Sequence, residues 1–413
     1  MKRVLVLLIA IVSIPICALA DIIDDASRYT VRVRTSIEHA FGEDEAGTIY
    51  GAGFLVDLDN RYVVTNAHVS GRGNANIEIA FNGSGYEGAR AVYVDPVLDL
   101  AILQIESETL PVEAMSAKIE CSDRYLNGVA VAAYGHPHGL SFSASRGIIS
   151  QVRTYEGNDW VQTDAAINPG NSGGALIDLT NGNVVGVNAS SVVDTEGLNF
   201  AVPILPVCSI IKLLKAGINP SPPALPLIFA TNDELNTHLT IAGNNYGPLP
   251  EGIKAGDFLE TVNGIKVSSP DEVGELLRGF TGNAEVGLMR DGERLKATIE
   301  VQTQEAVLER DFILMDGTLI STDLFVDRRM QKGYFQIHSI EAGSLSEQSD
   351  LQSYQLIISV NGETPSSLQH LFELLNGSGK LDLIMRSWSD VDIFLNKYLH
   401  VNYTPQDISY HAK

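Results

Sequence analysis

Cysteine is scarce in this chain, with 3 among 413 residues. No two of them form a C-x-x-C pair, so neither a zinc site nor a dithiol redox motif is supported. Cys17 is not preceded by a small residue, which argues against lipid attachment there. Cys121 and Cys208 are expected to be two buried free thiols, although an exported chain could pair them and only geometry decides. Basic residues are short as well: 28 Lys and Arg stand against 51 Asp and Glu, a net charge of −23. Nucleic acid and anionic membrane surfaces therefore find no basic footprint. The charge serves solubility instead.

Hydrophobic residues make up 45% of the chain, enough for ordered globular domains. The length is too great for one core and calls for two or three domains. Lys2 and Arg3 precede an apolar run, Val4 to Cys17, broken only by Ser13 and Pro15, and Ala18-Leu19-Ala20 gives a small-x-small cleavage pattern. Residues 1–20 thus read as an export signal, with the mature chain starting near Asp21. The alternative is an uncleaved membrane anchor, but the apolar stretch is barely long enough to span.

From Tyr29 to Val207 the pattern is one of short strands. Tyr29, Val31 and Val33 alternate with Thr30, Arg32 and Arg34. Gly51 to Asp57 leads through Leu58-Asp59-Asn60 into Tyr62 to Thr65, a hairpin. Ala91–Val94, Leu100–Ile105 and Val184–Val187 are further strands, so this region is a β-barrel or sandwich. Pro206 to Lys215 reads as a helix. Gly217, Pro220, Pro222 and Pro223 form a linker. Beyond it a strand, an Asn-Gly turn and a helix occur twice. The first set is Phe258–Val262, Asn263-Gly264 and Pro270–Arg278; the second is Leu356–Val360, Asn361-Gly362 and Ser366–Leu375. This is a duplicated small domain with a repeat of about ninety residues.

Chemistry concentrates in three places. Ser172 lies in Asn168-Pro169-Gly170-Asn171-Ser172-Gly173-Gly174, where flanking glycines permit a tight turn and leave room for substrate. His68 follows a strand in Thr65-Asn66-Ala67-His68-Val69, and Asp99 heads the strand Leu100-Ala101-Ile102. Singly, each has an ordinary explanation: a Gly-rich turn, a core histidine, a turn-capping carboxylate. Together, in the order His, Asp, Ser, they match the nucleophile–base–acid triad of double β-barrels.

These segments resemble the HtrA/Deg serine proteases, as do Gln162-Thr163-Asp164-Ala165-Ala166-Ile167 and Gly197-Leu198-Asn199-Phe200-Ala201-Val202-Pro203. The resemblance implies a mainly β chain: a trypsin-like double six-stranded β-barrel followed by two small α/β PDZ-like domains. The expected divisions are a signal peptide (1–20), a protease domain (21–216), a first PDZ-like domain (217–302) and a second, divergent one (308–400). His68 would be the general base, Asp99 its orienting acid and Ser172 the nucleophile. Gly170 and Ser172 would supply the oxyanion-hole N–H groups, with Asn171 shaping the loop. Ala166, Val187, Asn188, Leu198, Asn199, Phe200 and Ala201 would form the substrate pocket.

Ala166 stands where trypsin-like enzymes selective for Lys or Arg carry an Asp, so cleavage after small or aliphatic residues is expected. Asn171 replaces the Asp that pairs with a freed N-terminus in zymogen-activated relatives, so ordering of the site must come from elsewhere. In the first PDZ-like unit Leu225-Pro226-Leu227-Ile228 lacks a donor at Pro226. Peptide binding is therefore expected in the second unit, at Gly317, Thr318 and Leu319. His136-Pro137-His138, without an accompanying carboxylate or Cys, is expected to be a surface loop rather than a metal site, and no cofactor is called for.

Expected partners are unfolded or partly unfolded polypeptides, and peptide ligands of the PDZ-like units. Resemblance implies a homotrimer in the periplasm, and the short stretch from Arg34 to Tyr50 gives no support to larger cages. A chaperone-like binding module is the competing class, and an intact triad argues against it. A narrowly specific processing or signalling protease is a further alternative.

Overall fold

The computed structural model describes residues 16–42, 44–122, 127–136, 142–155, 158–191, 197–230, 239–244, 248–303, 306–322, 335–377, 379–387 and 397–412. Most of the export signal lies outside these, as do Pro137 and His138. Helix α1 (Ile16–Tyr29) runs through the expected cut after Ala20. Its later residues Ile22, Ile23, Ala26 and Tyr29 pack on the core cluster shared by the two barrels, so the part left after such a cut keeps its anchorage. No helix among the described residues is long and apolar enough to cross a membrane.

Strand β1 (Thr30–Ile37) buries Val31, Val33 and Thr35 and turns Arg32 and Arg34 outward, as its alternation requires. Both arginines lie over the Tyr86 ring, and Arg34 pairs with Glu78. With β2 (Gly47–Asp57), β3 (Tyr62–Thr65), β4 (Asn76–Phe81), β5 (Glu87–Asp95) and β6 (Leu100–Ile105) it closes a six-stranded barrel, in the order β1-β2-β3-β6-β5-β4. The short helix α2 (Ala67–Ser70) follows β3. A second closed barrel, in the order β10-β11-β12-β9-β8-β7, comprises β7 (Ala130–Gly135), β8 (Ser143–Tyr155), β9 (Asn158–Thr163), β10 (Ala175–Asp178), β11 (Val184–Ser191) and β12 (Asn199–Pro203). Helix α3 (Leu205–Lys215) ends this part.

Cys121 and Cys208 form a disulfide. The expectation of two buried free thiols fails on both counts, since Cys121 is exposed and Cys208 half-buried. The pairing was invisible in sequence because the partners are 87 residues apart and meet only after the second barrel closes.

The duplicated region forms two seven-stranded sheets. The first holds β13 (Pro223–Ala224), β14 (Ile228–Phe229), β15 (Leu239–Gly243), β16 (Phe258–Val262), β17 (Ile265–Lys266), β18 (Gly282–Arg290) and β19 (Glu293–Thr303), with helix α4 (Pro270–Leu276). Ser269 caps α4 by accepting the Glu272 N–H, while the Glu272 carboxylate accepts the Ser268 N–H. The second holds β20 (Phe312–Met315), β21 (Thr318–Thr322), β22 (Phe335–Ile340), β23 (Leu356–Val360), β24 (Leu381–Ser387), β25 (Lys397–Tyr403) and β26 (Ile408–His411), with helix α5 (Leu368–Leu375). Leu368, Leu371 and Leu375 form the buried stripe of α5, and Ser367 caps it. Because β26 pairs along β20, this unit extends past the expected boundary at residue 400.

The second sheet unit docks on the first barrel through the segment before β2. Phe41 packs edge-on against Phe312 and beside His338. Ser339 donates to the Ala40 carbonyl, Tyr354 to the Gly42 carbonyl, and the Gly42 N–H to His338 Nδ1. His338 Nε2 donates to the Thr322 carbonyl. Burial holds the His338 pKa down at about 4, against this hydrogen bond and with Arg310 adding to the depression. The ring is neutral in the fold, whereas in the unfolded chain it takes up a proton near pH 6.5. Its contribution to stability is thus complete above pH 6.5 and is lost as the pH falls to about 4, by on the order of 3 kcal/mol. Thermal unfolding of wild type and His338→Gln should therefore differ most at pH 7 and converge at pH 4. Parallel pH curves would refute the assignment.

Candidate active site

The pairing of β3 with β6 sets Thr65 opposite Ala101 and brings the residues after β3 against the start of β6. Asp99 precedes β6 in a left-handed conformation, φ 53°. Its carboxylate accepts the His68 backbone N–H at 3.0 Å with Oδ1 and meets His68 Nδ1 at 2.7 Å with Oδ2. The Asn66 side chain donates to the Asp99 carbonyl, tying the two segments a third time. With Nδ1–H turned to Asp99, His68 keeps Nε2 as an acceptor.

Ser172 comes from the second barrel, on the turn before β10. The Ala52 N–H of β2 donates to the Ser172 carbonyl at 2.8 Å, so the turn is stitched to the first barrel. Glycine is needed at 173, where φ is +83° and a Cβ would stand 2.1 Å from the Ala52 carbonyl oxygen. The Ser172 hydroxyl donates to the Ala189 carbonyl at 2.9 Å. That carbonyl is available because β11 bulges between Asn188 and Ser190. Among the described residues, neither the Gly170 N–H nor the Ser172 N–H has an acceptor. The Gly170 carbonyl is held by the His136 N–H, and Asn171 is buried with its amide toward the Ala166 carbonyl.

Next to His68, Arg72 and Asp44 form an almost fully enclosed ion pair at 2.6 Å, and Asp44 also accepts the Arg72 N–H. Burial raises the Asp44 pKa despite Arg72. His136 is enclosed against Phe142, with ring centroids 4.2 Å apart, rather than part of the expected surface loop. Burial, with Arg32 adding to it, lowers its pKa to about 4. No group of three or more metal-ligating side chains occurs among the described residues.

A trypsin-like peptidase domain model matches residues 51–187. The chain is 28% identical to a probable periplasmic serine protease do/HhoA-like of Haemophilus influenzae, over 79% of this chain and 73% of that protein. It is 27% identical to the periplasmic serine endoprotease DegP of Escherichia coli strain K12, over 86% and 77%. Among solved structures it resembles the HtrA-type protease AlgW with tripeptide, at TM-score 0.56 and 25% identity, over 70% of this chain and 97% of that one. A serine endoprotease from Yersinia pestis gives TM-score 0.51 and 26% identity, over 70% and 98%. The chain is thus similar to HtrA/Deg serine proteases over most of its length, with a trypsin-like peptidase domain at residues 51–187. It is a serine-type endopeptidase, with polypeptides as substrates.

Not every expected pocket residue reaches the site. Ala166 is exposed, Leu198 and Phe200 are half-buried, and Asn199 Oδ1 accepts the Ile167 N–H. Val187, Asn188 and Ala201 are corrected: all three are fully enclosed. Val187 and Ala201 are core, and the Asn188 amide bonds the Tyr134 and Ala175 carbonyls behind the Ser172 turn. Phe200 turns toward Trp160. Sequence reasoning missed Ala189, since nothing in the residue types announces a bulge.

The expected peptide site at Gly317, Thr318 and Leu319 also changes. Gly317 turns the β20–β21 hairpin, and β21 is paired on one side by β20 and on the other by β22. No edge is left there for strand addition. In the first unit, by contrast, β14 ends the sheet.

Proposed function

We propose that the chain is an exported endopeptidase that cleaves unfolded or mislocalised proteins through a Ser172 acyl-enzyme. The observation that carries this is the two-point grip of Asp99 on His68, set across the barrel interface from the Ser172 turn. In the proposed cycle the Ser172 hydroxyl leaves the Ala189 carbonyl and gives its proton to His68 Nε2 as it attacks the scissile carbonyl. His68 returns that proton to the leaving amine, and Asp99 stabilises the intervening imidazolium. The Gly170 and Ser172 N–H groups, without acceptors among the described residues, suit the developing oxyanion. The periplasmic names of the relatives and the Lys2-Arg3 apolar start favour export. A homotrimer, and a PDZ-like nature for the two sheet units, are part of this proposal and rest on the resemblance alone.

A fluorophosphonate probe should label the chain at Ser172, and Ser172→Ala should take up none. Labelling elsewhere, or equal labelling of the variant, would sink the assignment. Cuts in casein are expected after Val, Ala or Ile, because the exposed Ala166 offers no anion to a basic side chain. Mass spectrometry showing a majority of cuts after Lys or Arg would refute that pocket.

A further inference from the structure

Asp95 closes β5, four residues before Asp99, and is fully buried. Its two oxygens do different things. Oδ1 accepts the N–H groups of Val97 and Leu98, at 3.2 and 3.1 Å, and so shapes the turn that delivers Asp99. Oδ2 accepts from Arg278 at 3.0 Å and from the Tyr93 hydroxyl at 3.0 Å. Arg278 belongs to the first sheet unit, just beyond α4, and is itself buried. It also donates to the Pro220 carbonyl at 2.6 Å and to Glu275 at 2.9 Å. Beside it Gly279, at φ +69°, lies so close to Leu213 of α3 that a Cβ would stand 2.9 Å from that side chain. The unit is therefore seated on the protease part at this point.

We infer that Asp95, fixed from the far side by Arg278, is a positioning residue for Asp99, so that docking of the first sheet unit is built into the geometry of the reaction centre. The turn from Asp95 to Asp99 is short, and Asp99 sits in it at a positive φ that a non-glycine residue holds only where its surroundings enforce it. Two N–H groups of that turn donate to one carboxylate oxygen, and the direction of that carboxylate is set by the contacts of its other oxygen with Arg278 and Tyr93. This inference rests on Asp99 being the triad acid.

Removing either charge alone leaves the other buried and unpaired, so the test uses two doubly neutral full-length chains. In Asp95→Asn/Arg278→Met the side-chain oxygen can still accept from the Val97 and Leu98 N–H groups but is steadied by Tyr93 alone. The kcat of this pair should therefore fall below wild type, and wild-type kcat in it would overturn the part given to Arg278. In Asp95→Ala/Arg278→Met no such oxygen remains. Both are assayed on an unfolded protein substrate, at a temperature where circular dichroism shows both folded. The alanine pair should have kcat about 10²-fold below the asparagine pair with KM little changed, the scale on which small misplacements act. Its kcat/KM profile against pH should differ in shape from that of the asparagine pair. Equal kcat and superimposable pH profiles would overturn the inference. Asp99→Asn, run alongside, keeps the two readings apart. If it is near wild type, the triad acid is wrong; if it is inactive while the two double variants match, only the positioning role fails.

Discussion

Asp99→Asn should lower kcat by about four orders of magnitude while leaving the fold intact. The substitution conserves shape, and the amide oxygen can still accept the His68 backbone N–H, as Oδ1 does now. The other position changes sign. Where Oδ2 accepts from Nδ1 at 2.7 Å, an amide NH₂ would donate. His68 would then carry its proton on Nε2 and could no longer take one from Ser172. The imidazolium formed later would also lose its counter-charge. Steady-state hydrolysis of casein, with the thermal midpoint as a control, checks this; activity within tenfold of wild type would refute the triad. Asp95 is not an alternative acid, since it is enclosed and its oxygens face Arg278, Tyr93 and the turn.

Arg278→Ala should cost about 3–5 kcal/mol of unfolding free energy, the range for stripping one partner from a buried ion pair. Arg278 and Asp95 are 4% and 0% exposed, so water cannot replace the lost contact. Burial alone would lower the Arg278 pKa, but Asp95, Tyr93 and Glu275 outweigh it and raise it. With the guanidinium gone, the enclosed Asp95 carboxylate keeps its desolvation penalty and loses its charge partner. Asp95→Asn/Arg278→Met should recover most of the loss, because neither member is then a lone charge. Urea unfolding reads all three chains; a loss below 1 kcal/mol for Arg278→Ala would mean that the pair is solvated and the interface loose.

Local signals were legible wherever one segment determines the outcome. The alternation of Val31 and Val33 with Arg32 and Arg34 gave β1, and the Asn263-Gly264 and Asn361-Gly362 pairs, all four at positive φ, gave the two turns. The candidate triad could be read from the sequence because its members sit in short segments of distinctive composition, and of its contacts the structure shows the pairing of His68 with Asp99. What failed was non-local. Arg278 ends an exposed-looking helical pattern and reads as a solvated charge until Asp95 and Pro220 enclose it. The edge of β21 looks open in sequence, yet β20 fills it in this fold, with β26 beyond. His338 gives no sign of burial, since Phe41 covers it from almost three hundred residues away. Val187, Asn188 and Ala201 were placed with the pocket because strand periodicity cannot tell a site-facing side chain from one turned into the barrel.

The disulfide has a practical bearing on how damage to this protease would be seen. Cys121 precedes β7 and Cys208 lies in α3, so the bridge encircles the whole second barrel, Ser172 included. A single nick anywhere inside that covalent ring would leave both fragments joined. Such a chain would run at full length on a non-reducing gel, and its break would appear only after a thiol reductant. A molecule cut between those cysteines can keep Ser172 tethered to His68, and apparent homogeneity without reductant says nothing about how many chains are whole.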